Sequence, residues 1–468
     1  MTKSEGPHMK EELSTAEKSP IYDQRTKKVH FASDSARFRL PHQKPEKAGR
    51  EMQLKTLLNQ VHPCKGFVYG KAELVEVGQG ELELQVEIRP RKNGKARCSG
   101  CQRQASVYDT RGVRRFQFVA IWGILVFFIY AMRRVNCPAC GVRVEAVPWS
   151  DSKSPTCIAY QWCLARWAKY LSWEETARIF RTSWHTVFCA VQMAVEWGLQ
   201  HRNLDAIAAI GVDEVLWHRG HHYLTVVYQV DKNVRRLLWV GRERTEACLE
   251  GFLDTFSGHT KELKFVCSDM WKPYLRVIAR RLPHVVHVLD RFHIAKMLSN
   301  AIDEVRTTET KKLKKDGHEP LLKHSRWCFL KRRENLTEKQ EVKLRDLVRY
   351  NLKSVRAYLL KEDLQGFWTY ISPAWAGKFL DRWCTRAMRS KIEPVKKVAR
   401  TLRRHRDLLL NWFVARGEIS AGGVEGMNNK LKVITRRAYG FRTFKATEIA
   451  LYHGLGRLPE PQGTHRFF

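Results

Sequence analysis

Ala209-Ile210-Gly211-Val212-Asp213-Glu214, Lys264-Phe265-Val266-Cys267-Ser268-Asp269 and His287-Val288-Leu289-Asp290-Arg291 are three short apolar runs, each reaching an aspartate. Brief β-rich runs bounded by polar residues have the signature of strands buried on both faces, which predicts Asp213, Asp269 and Asp290 at strand carboxyl ends. In open α/β sheets that edge is where side chains from neighbouring strands converge on one crevice. Carboxylates crowded there repel one another unless protons or cations compensate. An oxygen-rich, thiol-free site suits magnesium or manganese, which also bridge phosphate oxygens. With a formal charge of +35 on the chain, the obvious phosphate donor is nucleic acid.

A chain of 468 residues is too long for one simple core, and two to four domains are expected. The 83 Lys and Arg against 48 Asp and Glu point to a polyanionic partner. A merely basic protein is the weaker reading, because 15 Trp, 21 Phe and an acidic site accompany the charge. Of the 12 cysteines four form two Cys-x-x-Cys pairs and the rest are scattered, which fits a reducing compartment better than a disulfide scaffold. The most apolar stretch, Phe118 to Met132, is short for a membrane span and carries a turn signal at Trp122-Gly123, so it reads as a hairpin. The expectation is a soluble, cytoplasmic protein with access to the nucleoid and no membrane partner.

Residues 1–50 are polar and Lys-rich without hydrophobic period, and read as a disordered basic leader of no assigned role. Residues 51–150 form the next unit, with alternation over Glu81 to Ile88 marking a half-exposed strand. Cys98-x-x-Cys101 and Cys137-x-x-Cys140, separated by 35 residues, supply four thiolates for one Zn²⁺, with the hairpin between them bringing the pairs together. Two unrelated pairs of buried thiols are the less favoured alternative, and a redox role is poorer still because neither pair opens a helix. Residues 151–203 read as three helices. Ser172 with Glu175 makes a capping box, and Ser183 starts a further helix after a short turn. That is helix-turn-helix spacing, placing Ser183, His185 and Thr186 to enter a major groove, although a plain helical hairpin fits nearly as well.

Residues 204–296 then alternate strands and helices. Three meander strands followed by helix, strand, helix and strand is the order of the ribonuclease H-like mixed sheet. Within it, Trp217 to His222 holds a histidine cluster beside Gly220, read as a hairpin turn and not as a metal site. Residues 297–415 are helical and strongly basic, with Trp327, Trp368, Trp375, Trp383 and Trp412 recurring; most are assigned to the core. In the last unit, 416–468, a helix would align Glu425, Asn428, Asn429, Lys432 and Arg436 on one polar face. A lone glutamate on a helix is ordinarily solvated, but this one sits among amides and cations.

These pieces together resemble insertion-sequence transposases of the ISL-three family, which use an Asp-Asp-Glu triad. The matching residues are the knuckle Arg-Arg-Val-Asn-Cys-Pro-Ala-Cys, the Leu-Ser-Trp-Glu-Glu helix start, Ile-Gly-Val-Asp-Glu, Ser-Asp-Met-Trp-Lys-Pro-Tyr, Leu-Asp-Arg-Phe-His-Ile-Ala-Lys and Glu-Asn-Leu-Thr. Val-Glu-Gly-Met-Asn-Asn-Lys-Leu-Lys and Arg-Arg-Ala-Tyr-Gly-Phe-Arg complete them, in the family's order from about Leu54 to Leu455. The resemblance implies that Asp213, Asp269 and Glu425 are catalytic and hold two Mg²⁺ or Mn²⁺, with Asp290 and His293 beside them and the helices after residue 297 as an insertion. It implies cleavage of double-stranded DNA at terminal inverted repeats and strand transfer into target DNA, by a homodimer or higher oligomer. Asn428, Asn429, Lys432 and Arg436 are then expected on DNA phosphates. The alternatives are a ribonuclease H-like nuclease that does not transpose and a transposase-derived DNA-binding regulator.

Overall fold

The computed structural model describes residues 53–462 apart from 79, 152, 219, 319, 417, 420 and 421. The basic leader expected over residues 1–50 lies outside them. A short helix α1 (Leu54–Val61) precedes β1 (Phe67–Val77), β2 (Glu81–Pro90), β3 (Ser106–Ile121), β4 (Ile124–Cys137) and β5 (Gly141–Val144). Their sheet runs β1-β2-β4-β3, with β5 added to β4. The long hairpin β3–β4 turns at Trp122 and Gly123, with φ of +50° and +80°; two left-handed residues match the twist of the flanking strands. Alternate residues Phe116, Phe118, Phe128, Tyr130 and Met132 face inward, as the period of two requires. Beneath them Glu145 is wholly buried, its charge met by Arg133, whose Nη2 lies 2.7 Å from Oε2.

Helices α2 (Ile158–Trp167), α3 (Trp173–Ile179) and α4 (Trp184–His201) follow. Ser172 and Glu175 form the expected capping box on α3, and Ser183 Oγ accepts the Thr186 N–H at 3.1 Å to start α4. Val187, Ala190, Val191, Ala194 and Val195 line the buried face of α4.

The second sheet is built from β6 (Ala209–His218), β7 (His222–Asp231), β8 (Val234–Arg242), β9 (Phe265–Ser268) and β10 (Val286–Leu289), in the order β10-β9-β6-β7-β8. Helices α5 (Glu246–Thr255) and α6 (Lys272–Arg281) pack on it through Leu249, Phe252, Tyr274 and Val277. The histidine-rich segment forms the β6–β7 turn, with Gly220 at φ +86° and His221 at +64°. One expectation is corrected here. Asp269 and Asp290 do follow the last residues of β9 and β10, but Asp213 sits in mid-strand, because β6 continues to His218 along its antiparallel partner β7. It nevertheless lies just past the point where β6 parts from β9, whose parallel pairing ends at Gly211–Cys267.

A helical segment follows: α7 (Arg291–Lys315), α8 (Arg326–Leu330), α9 (Glu338–Val348), α10 (Lys353–Gln365), α11 (Pro373–Arg389), α12 (Glu393–Arg404) and α13 (Arg406–Val414). It has its own core around Trp383, Phe367 and Phe329. Trp368 and Trp412 stack edge-on at 5.1 Å, while Trp327 and Trp375 are exposed. This segment is tied to the sheet where Asn411 Nδ2 donates to the His287 carbonyl at 2.8 Å. The chain then returns through α14 (Gly423–Arg437) and α15 (Phe444–Leu455). Val424 of α14 seats directly on Gly211 of β6, where a Cβ would come within 2.4 Å of its methyl group, so glycine is what permits that approach. Among the described residues no helix is long and apolar enough to cross a membrane.

Candidate active site

Strand register sets the acids in a row. Gly211 is level with Cys267, and Leu289 with Ser268, so Asp213, Asp269 and Asp290 stand at the same height, the last two one step past the end of their parallel ladder and Asp213 two steps past the end of its own. Side chains at equal height on adjacent strands point to the same side. Asp213 is buried; its Oδ1 accepts the Glu214 N–H at 2.7 Å and its Oδ2 accepts the Asn428 amide. Asp269 Oδ1 accepts the Trp271 N–H at 2.9 Å. Burial is the first cause that holds both carboxyls above their ordinary range. A site that keeps two acids reluctant to ionise is one that a divalent cation relieves.

Asp290 has a different task. Its Oδ1 caps α7 by accepting the Phe292 N–H at 2.8 Å, and its Oδ2 lies 3.2 Å from His293 Nδ1. That bond, aided by Asp213 and Asp269, raises the His293 pKa, placing a titratable cation among the acids.

Sequence reasoning missed a fourth acid. Glu214 is pushed up to about 7, first by burial and then by Asp269. Its Oε1 pairs with Arg244 Nη1 at 2.7 Å, and its Oε2 is buried without a hydrogen-bond partner among the described residues. The Arg244 guanidinium lies 3.8 Å over the Trp271 ring, so one side chain ties the strand of Asp213 to the turn that holds Asp269. A glutamate immediately after Asp213 in an apolar run was the available signal; nothing local marks Arg244.

Glu425 occupies the first turn of α14 and is exposed. Its carboxylate is not gathered with the aspartates: among the described residues the only set of three or more ligating side chains within 4.8 Å of one another is the cysteine cluster. The helix itself is docked at the site. Asn428, one turn on, is buried and accepts the Tyr228 hydroxyl at 2.9 Å while donating to Asp213. The expectation that Asn428 faces phosphate is thereby revised, since both ends of its amide are used inside the protein. Asn429, Lys432 and Arg436 are exposed.

Cys98, Cys101, Cys137 and Cys140 have sulfur atoms within 4.8 Å of one another, and tetrahedral zinc needs sulfurs about 3.8 Å apart. The 35-residue separation is spanned by the β3–β4 hairpin, which returns the chain to its start. The Ala139 N–H brings Cys137 down to about 7, whereas Cys140 is pushed up to about 12, first by its contact with Cys101. Four thiolates at this range need a cation between them, and the donor set fits zinc. In the helical unit, His185 is exposed and Thr186 half-buried, while the Ser183 and Thr186 hydroxyls meet at 2.8 Å.

The family model described as a transposase matches residues 210–451, spanning both the sheet and α14, and the chain belongs to the DDE transposases, enzymes that cut and join DNA with divalent metal. Within that class it is a member of the ISL-three (ISL3) group of insertion-sequence transposases. It is 30% identical over 351 residues to the transposase for insertion sequence element IS1001 of Bordetella parapertussis, covering 74% of this chain and 85% of that protein. It is 31% identical over 419 residues to the transposase for IS1557 of Mycobacterium tuberculosis, covering 83% and 92%. Among solved structures the Drosophila P element transposase strand transfer complex aligns with TM-score 0.36 and 12% identity, over 63% of this chain and 90% of that one.

Proposed function

We propose that Asp213, Asp269 and Glu425 form the metal-binding triad of a ribonuclease H-like catalytic core (residues 204–296 and 416–468), interrupted by a helical insertion (297–415). When bound there, two Mg²⁺ or Mn²⁺ would activate the attacking hydroxyl and steady the leaving oxygen of a DNA phosphodiester. Asp213 would help hold both ions, since its strand β6 lies between β9 and α14. Asp269 is held ready by the Trp271 N–H, and the Asn428 amide keeps Asp213 oriented until Glu425 closes on it. His293, fixed by Asp290, offers a proton-bearing group at the edge of the site. The zinc module (51–150) and a helix-turn-helix (151–203, with Ser183, His185 and Thr186 foremost) read the inverted repeats. Asn429, Lys432 and Arg436 contact phosphate, and the enzyme acts as a homodimer or higher oligomer on DNA.

The observation that carries this reading is the docking of α14: Asn428 bonds Asp213, so the helix bearing Glu425 already abuts the aspartate row. The test is cleavage and strand transfer of element-end DNA by Asp213→Asn, Asp269→Asn and Glu425→Gln. Each is expected to bind duplex as the wild type does and to lose activity by several orders of magnitude. Cleavage at the wild-type rate by Glu425→Gln would remove that residue from the triad. Cleavage without strand transfer in the wild type would favour a nuclease that does not transpose, and unchanged biological output from Asp213→Asn would favour a regulator.

A further inference from the structure

A groove of about 1250 Å³ runs between α3 and the connection from α14 to α15. Arg178, Arg436 and Arg442 line it and are exposed, and none of them makes an ion pair among the described residues. Glu174 and Glu175 lie on the same wall, but Glu175 is engaged in the α3 capping box. Trp184, the first residue of α4, continues the lining toward the expected major-groove edge.

Tyr439 stands on the rim, fully exposed, with a left-handed φ of +52°. An aromatic residue pays in stability for that backbone conformation, and here its ring returns no packing to the fold. The turn is nonetheless built: the Gly440 N–H closes on the Thr435 carbonyl at 2.8 Å, Gly440 itself sits at φ +91°, and Phe441 is buried with its ring 5.5 Å from Trp173. Strain that the surrounding structure over-determines points to use. The use for a ring displayed from a fixed turn among guanidiniums without ion pairs is a negatively charged partner with flat faces.

We propose that Tyr439 stacks on a base freed from pairing at the cut end of the element, while Arg178, Arg436 and Arg442 hold the flanking phosphates. The proposal rests on the triad reading for its geometry. From Glu425 to Arg437, where α14 ends, are twelve residues or about 18 Å of helix, and Tyr439 stands two residues beyond, so the separation is about six base pairs of duplex. The freed base therefore lies within that distance of the cleaved bond.

The test uses the full chain and duplexes carrying the terminal sequence that flanks its own reading frame, one fully paired and one mismatched near the cut. In the mismatched duplex 2-aminopurine marks each terminal position in turn. Tyr439→Ala is expected to weaken binding of the mismatched end by ~5- to 150-fold, with little change on the paired one, and to abolish the change in 2-aminopurine emission seen with wild type. Tyr439→Phe keeps both, and Arg436→Ala lowers the salt slope of binding by about one. Equal loss on both duplexes, wild-type affinity in Tyr439→Ala, or emission that no variant alters would overturn the proposal. These are binding readouts, so a failed triad would leave them standing and appear instead as cleavage by Glu425→Gln.

Discussion

Replacing Arg244 with methionine removes the charge that most opposes a buried acid next to Asp213, with His293 the lesser one. Glu214 and Arg244 are 17% and 25% exposed and meet at 2.7 Å. Glu214 titrates at about 7 against an ordinary 4.5 even with its partner present; at about 1.4 kcal/mol per tenfold shift, its charge costs the fold ~3 kcal/mol. The sign follows from the raised value. Below the ordinary carboxylate range the cost is absent, and it grows to its full size as pH rises through about 7. Breaking a buried pair costs about 3–5 kcal/mol, reduced by partial exposure to ~2–3 kcal/mol at about pH 8. At about pH 5 the folded protein holds Glu214 protonated, and the loss falls mainly to the stacking of Arg244 on Trp271 and Tyr223, ~1 kcal/mol. Urea unfolding of chelator-treated Arg244→Met at the two pH values reads this difference directly. An equal loss at both, or no recovery at the higher pH when Glu214→Gln is added, refutes the reasoning.

Other outcomes follow from the same geometry. Gly211→Ala sets a Cβ against Val424 and is expected to lower cleavage by displacing α14, at ~1–3 kcal/mol of overpacking; Val424→Ala added to it restores activity, and cleavage unaffected by the first change would sever Gly211 from the site. Asn428→Ala strands the buried Tyr228 hydroxyl and is expected to cost ~2 kcal/mol in unfolding assays, with wild-type stability as the contrary result. Because Asp213 and Asp269 are both held above their ordinary values, the acid limb of the cleavage rate lies above the usual carboxylate range. Raising Mg²⁺ moves it to lower pH, since metal competes with protons for the same oxygens, and a limb indifferent to metal concentration contradicts this. Elemental analysis is expected to find one zinc per chain, lost in Cys98→Ser together with the thermal stability of the module around β3 and β4.

Local periodicity and turn chemistry determine much of this protein without further help. The Trp122-Gly123 hairpin, the Ser172–Glu175 box, the cysteine knuckles and the succession of strands and helices from Ala209 to Lys296 depend on residues close along the chain, and their spacing alone predicts them. What sequence could not settle is which side chains meet once distant segments pack. Asp213 was expected at a strand end because its apolar run stops there, yet the pairing that prolongs β6 comes from β7. Asn428 was expected on phosphate because it shares a helix face with Lys432 and Arg436, yet Tyr228 and Asp213 satisfy it inside. Arg244 carries no local mark, and its place between Glu214 and Trp271 is decided by how the segment after β8 crosses the turn after β9. Hydrogen bonds and charge pairs between segments tens to hundreds of residues apart depend on tertiary distance, and a pattern read along the chain carries no measure of it.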